Sequence, residues 1–400
     1  MRIQLWSYNY DPEPIGIAPV SAVFARAMQE RGHAVEVIAA HPHYPQPRWG
    51  KRLRPYRELR DGVRVVRLPL WIGRGSGVQR VRQEASFAGA MTLAAPLVGG
   101  ADVIVAVSPC FPALAPAMAA SRARRTPWVL WLQDILPDGA VGSGILADGA
   151  VVRLARRLEH AAYRSASRII VISESFEQNM RAKGVDPAKL ALVRNPATRP
   201  ILQAPRDEPP LASHGVLTMG NIGHTQNLVA VTRSFEACDE LRRLGARLTL
   251  VGEGQAAAAV RAAIRTDRVR VTGLLDGASL ERELRCAAVA IVSQAYRGPA
   301  FNVPSKLMNF MGHGIPTVAS VPPQSEVARL LTSSGGGWVT DSADTTQLAE
   351  KLAEVLQDRP ALAARGQAAL AFAQRHFSPQ LFAERFEAAL LDAVGDRRGH

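Results

Sequence analysis

Apolar and polar positions along the chain alternate between two periods. Runs that are apolar almost throughout, RIQLWS (2–7), AVEVIAA (34–40), VRVVRL (63–68), DVIVAVS (102–108), PWVLWL (127–132) and SRIIVIS (167–173), read as strands. Most stretches between them have helical spacing, such as PVSAVFARAMQERG (19–32), which Gly32 stops. Such alternation predicts a parallel sheet covered on both faces. NPATRPILQAPRDEPPLASHG (195–215) breaks the pattern: five prolines and no period read as a linker. The alternation then restarts with GVLTMG, ARLTLVG, RVRVTG, AAVAIVS and PTVASV, and the tail from Thr345 is helical. Within it, FSPQLFAERFEAALLDAV (377–394) has apolar residues spaced to pack back on a core. The predicted class is α/β, with two Rossmann-like domains facing across a cleft. The N-terminal domain is placed at 1–200 and the C-terminal one at 211–375. A final helix and tail, 376–400, are expected to pack toward the N-terminal domain.

In open α/β sheets ligands sit beyond the carboxyl ends of the strands. That rule selects the loops 8–17, 108–112, 133–139, 220–226, 252–255, 273–277 and 293–306. MGNIGHTQN (219–227) follows a strand and opens a helix, with Gly220 and Gly223 where backbone can approach a ligand and the helix start offering N–H groups to phosphate. FNVPSKLMNFMGHGIPTVAS (301–320) starts a second helix at Ser305 and Lys306. Lysine is rare here, occurring only at 51, 183, 189, 306 and 351 in a chain of 48 basic residues. A compact ammonium at a helix start suits phosphate; a solvated surface lysine is the alternative reading. VGEGQ (251–255) and VTGLLD (271–276) suit backbone contacts to a base, or are plain turns. In the N-terminal half, WLQDILPDGAVGSG (131–144) places Gln133, Asp134 and Asp138 at a strand end, as acid/base groups, hydroxyl binders or helix caps.

Composition excludes more than it selects. Four hundred residues at 47% hydrophobic and 21% charged suit two proper cores. Three separated cysteines, Cys110, Cys238 and Cys286, form no disulfide framework and fit a reducing compartment. The start MRIQLWSYNYDPEP does not read as a signal peptide. The most apolar long stretch, 85–107, reads as a buried helix and a strand rather than a membrane span. No G-x-G-x-x-G follows the first strand, and P-loop, G-x-S-x-G and D-x-D motifs are absent. HPHYP (41–45) lacks a nearby third ligand and is a poor metal site. Net charge is +13, and residues 48–82 hold eleven bases against Glu58 and Asp61. Such a cluster suits an anionic membrane surface or a phosphorylated substrate; an arginine-rich solvated face is the other reading. Nucleic acid is not expected, because no recognition motif accompanies the charge.

The pieces NYDPEPIGIAPV, RGHAVEVIAA with HPHYPQPRW, GVRVVRLPLW, VSPCFPALAP, VLWLQDILPDGAV, SRIIVIS, VRNP, MGNIGHTQNL, VGEG, VTGLL and VPSKLMNFMGHGIPTVAS run in order over residues 1–375. As a set they resemble the retaining GT-B nucleotide-sugar glycosyltransferases of family 4, most closely the branch of colanic-acid and other exopolysaccharide transferases. The resemblance implies sugar transfer from a nucleoside-diphosphate sugar to an acceptor hydroxyl, without metal or other cofactor. The C-terminal domain would hold the donor and the N-terminal domain the acceptor, a lipid-linked or glycan intermediate in surface polysaccharide or glycolipid assembly. It implies a cytoplasmic enzyme, peripheral on the inner face of the plasma membrane.

On that resemblance Lys306 and Ser305 grip the diphosphate, with Asn221, Gly223 and Gln226 beside them. Asn302 lies in the same donor segment, Asn309 holds the ribose, and Gly273 and Leu274 meet the base through the backbone. Gly16 lets the acceptor loop approach, and Gln133 or Asp134 stands near the reacting sugar. The chain departs from the wider family at three places. Phe301 and Asn309 stand at the Glu-x7-Glu positions, Asn221 and Gln226 replace an Arg and a Lys, and Gln133 replaces a histidine. Two further readings follow from the departures: a catalytically decayed scaffold partnering an active transferase, and a nucleotide-sugar epimerase.

Overall fold

All eleven apolar runs named above become strands, because each carries branched or aromatic residues that fill both sides of a pleated sheet. The computed structural model describes residues 1–14, 16–44, 49, 53–73, 77–108, 110–135, 149–203, 214–295 and 303–396. The chain separates into two units, Met1–Asn195 with Pro379–His400, and Pro196–Ser378. The break at Asn195 falls at the start of the proline-rich segment, whose residues 196–203 belong to the second unit.

Unit 1 holds eight strands: β1 (Arg2–Ser7), β2 (Ala34–Ala40), β3 (Tyr56–Arg60), β4 (Val63–Leu68), β5 (Val103–Val107), β6 (Trp128–Leu132), β7 (Arg168–Val171) and β8 (Leu190–Leu192). Their order is β3-β4-β2-β1-β5-β6-β7-β8, parallel except for β3, which pairs antiparallel with β4. The sequence pattern did not show β3 because YRELR, on a sheet edge, is not an apolar run. One face of the sheet is covered by α1 (Ala18–Glu30) and the C-terminal helix Pro379–Gly395. There Phe24, Trp131, Phe382 and Phe386 interlock, with the rings of Phe24 and Phe386 4.5 Å apart. α2 (Gly77–Ala94) and α3 (Leu114–Arg124) pack against strands β4, β5 and β6, and α4 (Ala150–Ser165) packs beside α3. The stretch expected as a buried helix is a correction: α2 buries Glu84, Phe87 and Met91, while Val81, Arg82, Ala85, Gly89, Thr92 and Leu93 are exposed. Its apolar character is alanine and glycine, too small to demand an enclosed core. Among the described residues no helix is long and apolar enough to cross a membrane.

Unit 2 is a six-stranded parallel sheet, ordered β11-β10-β9-β12-β13-β14. Its strands are β9 (Gly215–Met219), β10 (Arg247–Val251), β11 (Val269–Gly273), β12 (Val289–Ser293), β13 (Thr317–Val321) and β14 (Gly337–Asp341). α5 (Leu228–Ala237) packs into the core on one face, and α6 (Ser305–Gly312) into the core on the other through Leu307, Met308, Phe310 and Met311. Strand order reverses between β9 and β12. These two share only the pairs Val216↔Val289 and Leu217↔Ala290, so beyond Leu217 the ladder between them ends. That opening is where a parallel sheet offers a ligand its binding crevice. Unit 1 has its own reversal between β1 and β5.

Candidate active site

The loops at the carboxyl ends of β9, β10 and β11 are stitched together by main-chain bonds. Gly220 N donates to Val251 O at 2.8 Å, Ile222 N to Glu253 O at 2.9 Å, and Gly252 N to Gly273 O at 2.9 Å. The approach is so close that side chains are excluded. A Cβ on Gly252 would lie 1.9 Å from Gly220 O, and one on Gly254 2.5 Å from Ile222 O. Glycine at 252 is therefore a requirement of the chain path. The result brings Gly220, Asn221, Gly223 and the β11 end, Gly273 and Leu274, to one rim of the sheet.

Lys306 reaches the reversal point from the first turn of α6. Its Cε lies 3.8 Å from where a Cβ on Gly220 would stand. Its Nζ donates to Gln226 Oε1 at 2.6 Å and lies 3.5 Å from Thr218 Oγ1. Gln226 in turn donates through Nε2 to Asn221 O, so it bridges the loop and the ammonium. The reading of Lys306 as a solvated surface residue does not hold, since the side chain is buried, 6% exposed. Among the described residues no carboxylate lies within ion-pair distance, and burial alone pulls its pKa from the ordinary 10.5 down to about 7. A buried ammonium with only neutral acceptors is a place for an anion to enter. α6 adds to this: its N-cap is Pro304, no side chain caps it, and Ser305 is exposed at its first turn. The N–H groups of that turn are oriented for negative charge. The helix after β9 begins later than expected, at Leu228, behind a 3-10 turn over His224–Gln226. Asn302, Phe301 and Asp138 lie outside the described residues.

Asn309 needs a correction. Expected at a ribose, its carboxamide is spent within unit 2. Oδ1 accepts from Thr198 N at 3.0 Å and Arg199 N at 3.1 Å, and Nδ2 donates to Thr198 Oγ1 at 3.1 Å. The segment after Pro196 lies against α6 and takes both ends of the side chain. One turn on, buried His313 contacts Asn309 O through Nδ1 at 2.8 Å and Glu281 Oε2 through Nε2 at 3.0 Å. Asn309→Ala is expected to destabilise by about 1–3 kcal/mol, because it leaves two main-chain N–H groups without their acceptor. Asn309→Asp keeps the acceptors and should lose less. Thermal melts of the pair check this.

In unit 1, Gln133 and Asp134 follow β6 and are half-buried. Gln133 is locked into a reciprocal amide pair with Asn195, at 2.9 Å and 2.6 Å. Asp134 Oδ1 accepts from Ile135 N at 2.8 Å. Gly16 is exposed with φ +71°. Sequence reasoning missed the group that holds its loop. Buried Glu13 accepts from His43 N and Tyr44 N, both at 2.7 Å, and from Asn9 Nδ2 at 2.7 Å. Fully buried Arg67 donates to Glu58 Oε1 at 2.7 Å, Ala40 O at 3.1 Å and Asp11 O. A signal for Arg67 existed: in VRVVRL the two arginines are three apart, so they fall on opposite faces of a strand and one must point inward. Thr218 carried no such signal.

Two family models match in succession: the glycosyl transferase 4-like domain over residues 16–196 and the glycosyl transferases group 1 domain over 213–358. A protein of Escherichia coli K12 named as a colanic acid biosynthesis glycosyl transferase, WcaI, is 28% identical over 361 residues, 84% of this chain and 87% of its own. WbjE of Pseudomonas aeruginosa, named as a glycosyltransferase, is 26% identical over 280 residues, 68% of this chain and 70% of its own. Among solved structures, sucrose-phosphate synthase of Thermosynechococcus elongatus shares the fold at TM-score 0.71 and 18% identity, covering 97% of this chain and 98% of its own. Anabaena HepE, solved with UDP and glucose, does so at TM-score 0.69 and 15% identity, covering 98% and 99%. With two parallel-sheet units in sequence and both domain models matched, the chain belongs to the GT-B glycosyltransferases of the family 4 type.

Proposed function

We propose that unit 2 binds a nucleoside-diphosphate sugar with its diphosphate on Lys306 and the first turn of α6, and that unit 1 binds the acceptor, a lipid-linked intermediate in surface polysaccharide or glycolipid assembly. The observation that carries this is the buried Lys306 ammonium at the strand-order reversal, held by the neutral groups of Thr218 and Gln226 with no carboxylate in ion-pair reach among the described residues. As the glycosidic bond breaks, negative charge grows on the leaving diphosphate. A fixed ammonium and helix N–H groups stabilise that charge more than the ground state. Gln226 keeps the ammonium aimed, and Asn221 and Gly223 line the same rim. Gly273 and Leu274 offer main-chain groups to the base. In this reading no metal is required, and Gln133 and Asp134 shape the acceptor side.

The donor assignment draws support from HepE, whose structures hold UDP and UDP-glucose. The acceptor assignment draws on the relative named for colanic acid biosynthesis. Calorimetry with UDP, GDP, ADP and dTDP, each with a chelator present, tests the donor site. Selective binding of one nucleotide supports the reading and names the base. Binding of none moves the weight to a scaffold role, and binding only on adding a divalent ion removes the metal-independent part.

A further inference from the structure

The rim of unit 2 carries two acids in the loops 220–227, 252–256 and 273–276, Glu253 and Asp276. Asp276 is fully used. Its Oδ1 accepts from Ser279 N at 2.7 Å and its Oδ2 from Ser279 Oγ at 3.1 Å, which caps the helix Gly277–Cys286. Glu253 caps no helix. Its Oε1 accepts from Arg261 Nη2 at 2.6 Å, and among the described residues that is the one hydrogen bond its carboxylate makes. The side chains of Arg261 and Glu253 are 44% and 39% exposed, so the pair is open to a ligand.

Its position along the rim is specific. Glu253 Oε1 lies 3.1 Å from where a Cβ on Gly273 would stand, so the carboxylate fills the space that a side chain at 273 would take. The main chain of Gly273 is tied to the same loop through Gly252 N. From Gly220, beside Lys306, to Gly273 the rim crosses from β9 over β10 to β11, two strand spacings or about 10 Å. Ribose and base span such a distance. A diphosphate on Lys306 therefore leaves the base at Gly273 and Glu253. A carboxylate beside the phosphates would repel them; beside a base it can accept from N–H groups.

We infer that Glu253, held by Arg261, selects the base of the donor, and that the base is guanine. This rests on the donor reading of unit 2 given above. A carboxylate only accepts hydrogen bonds. Guanine offers it two adjacent donors, N1–H and the N2 amine, with the acceptor O6 next to them for the remaining N–H groups of Arg261. Uracil and thymine offer one N–H flanked by two carbonyl oxygens, which a carboxylate repels. Adenine and cytosine set a ring-nitrogen acceptor beside their amine. Guanine alone meets the pair without placing lone pair against lone pair.

The test is calorimetry of GDP, IDP, XDP, UDP, dTDP and ADP on the parent, Glu253→Gln and Lys306→Met. IDP lacks the N2 amine of guanine, and XDP has a carbonyl in its place. The parent should bind GDP more tightly than UDP, dTDP and ADP. It should bind IDP about 10- to 150-fold more weakly than GDP, the loss expected for one hydrogen bond to a charged group. Glu253→Gln presents an amide N–H in place of one oxygen. It should lose the preference for GDP over IDP and gain affinity for XDP, a change that a merely structural surface ion pair would not produce. Its thermal melt should stay close to the parent's, because the pair is exposed. Lys306→Met should weaken all nucleotides alike. Tighter binding of UDP, dTDP or ADP than of GDP, lost in Lys306→Met, would overturn the inference and leave the donor site standing. Equal binding of GDP and IDP by the parent would do the same, as would a Glu253→Gln variant that keeps the parent's order. Absence of nucleotide binding in every form would overturn both.

Discussion

Lys306→Met is expected to make the protein more stable and worse at binding nucleotide. The two effects have one cause. Burial holds the Lys306 pKa at about 7 against 10.5 when exposed. Keeping the protonated amine in that setting therefore costs on the order of 3–5 kcal/mol at and below pH 7. Methionine fills similar volume without the charge, so a gain of a few kcal/mol should remain after the bond to Gln226 is lost. Nucleotide affinity should fall by about 1.5–3 kcal/mol, the worth of one charge-assisted bond to phosphate, or roughly 10- to 150-fold. Melts and calorimetry on one preparation read both signs. A variant that bound nucleotide normally would remove Lys306 from the site.

The same residue sets a pH dependence. Between about pH 7 and 10.5 the unfolded chain holds a proton on Lys306 that the folded chain has released. Stability from this group therefore rises with pH through that window; the penalty is full below 7 and gone above 10.5. A bound diphosphate favours the charged amine, so above pH 7 binding should take up a proton. Affinity should then fall toward tenfold per pH unit. Calorimetry in two buffers of different ionisation heat measures the uptake, which Lys306→Met should abolish.

Gly252→Ala should be the most damaging small change in unit 2. The new methyl would lie 1.9 Å from Gly220 O and 2.9 Å from Gly220 C, main-chain atoms that cannot rotate away, at a φ of +143°. Loss of about 2–4 kcal/mol is expected, a fall in Tm of about 5–15 °C for a unit of this size. Nucleotide binding should weaken in whatever protein stays folded, because the loops at 220 and 252 must part. Gly16→Ala is the control. Its φ is +71°, but nothing lies within 4 Å of the added methyl, so it should lose only about 1–2 kcal/mol. Equal losses at both sites would mean that φ strain, and not the close approach, governs Gly252.

The strands were legible because fully buried parallel strands advertise themselves as apolar runs; β5, β6, β12 and β13 are buried at every position. The edge strand β3 was not, since an exposed edge has no use for an apolar run. The glycine loops were legible as loops, but which glycine stood against which carbonyl was not, because Gly220 and Gly252 are neighbours only through the pairing of β9 and β10. For the same reason Asn309 was placed at a ligand when it faces Thr198, 111 residues away.

What could be read from the residues in order was everything local: period, turn chemistry, and a rare lysine at a helix start. What required the folded chain was every choice between partners distant in sequence. Lys306 became a buried ammonium because β9 and β12 diverge beside it and bring Thr218 and Gln226 to its Nζ, with no carboxylate there among the described residues. Charge and burial belong to a position in space, and a residue's neighbours along the chain do not specify that position.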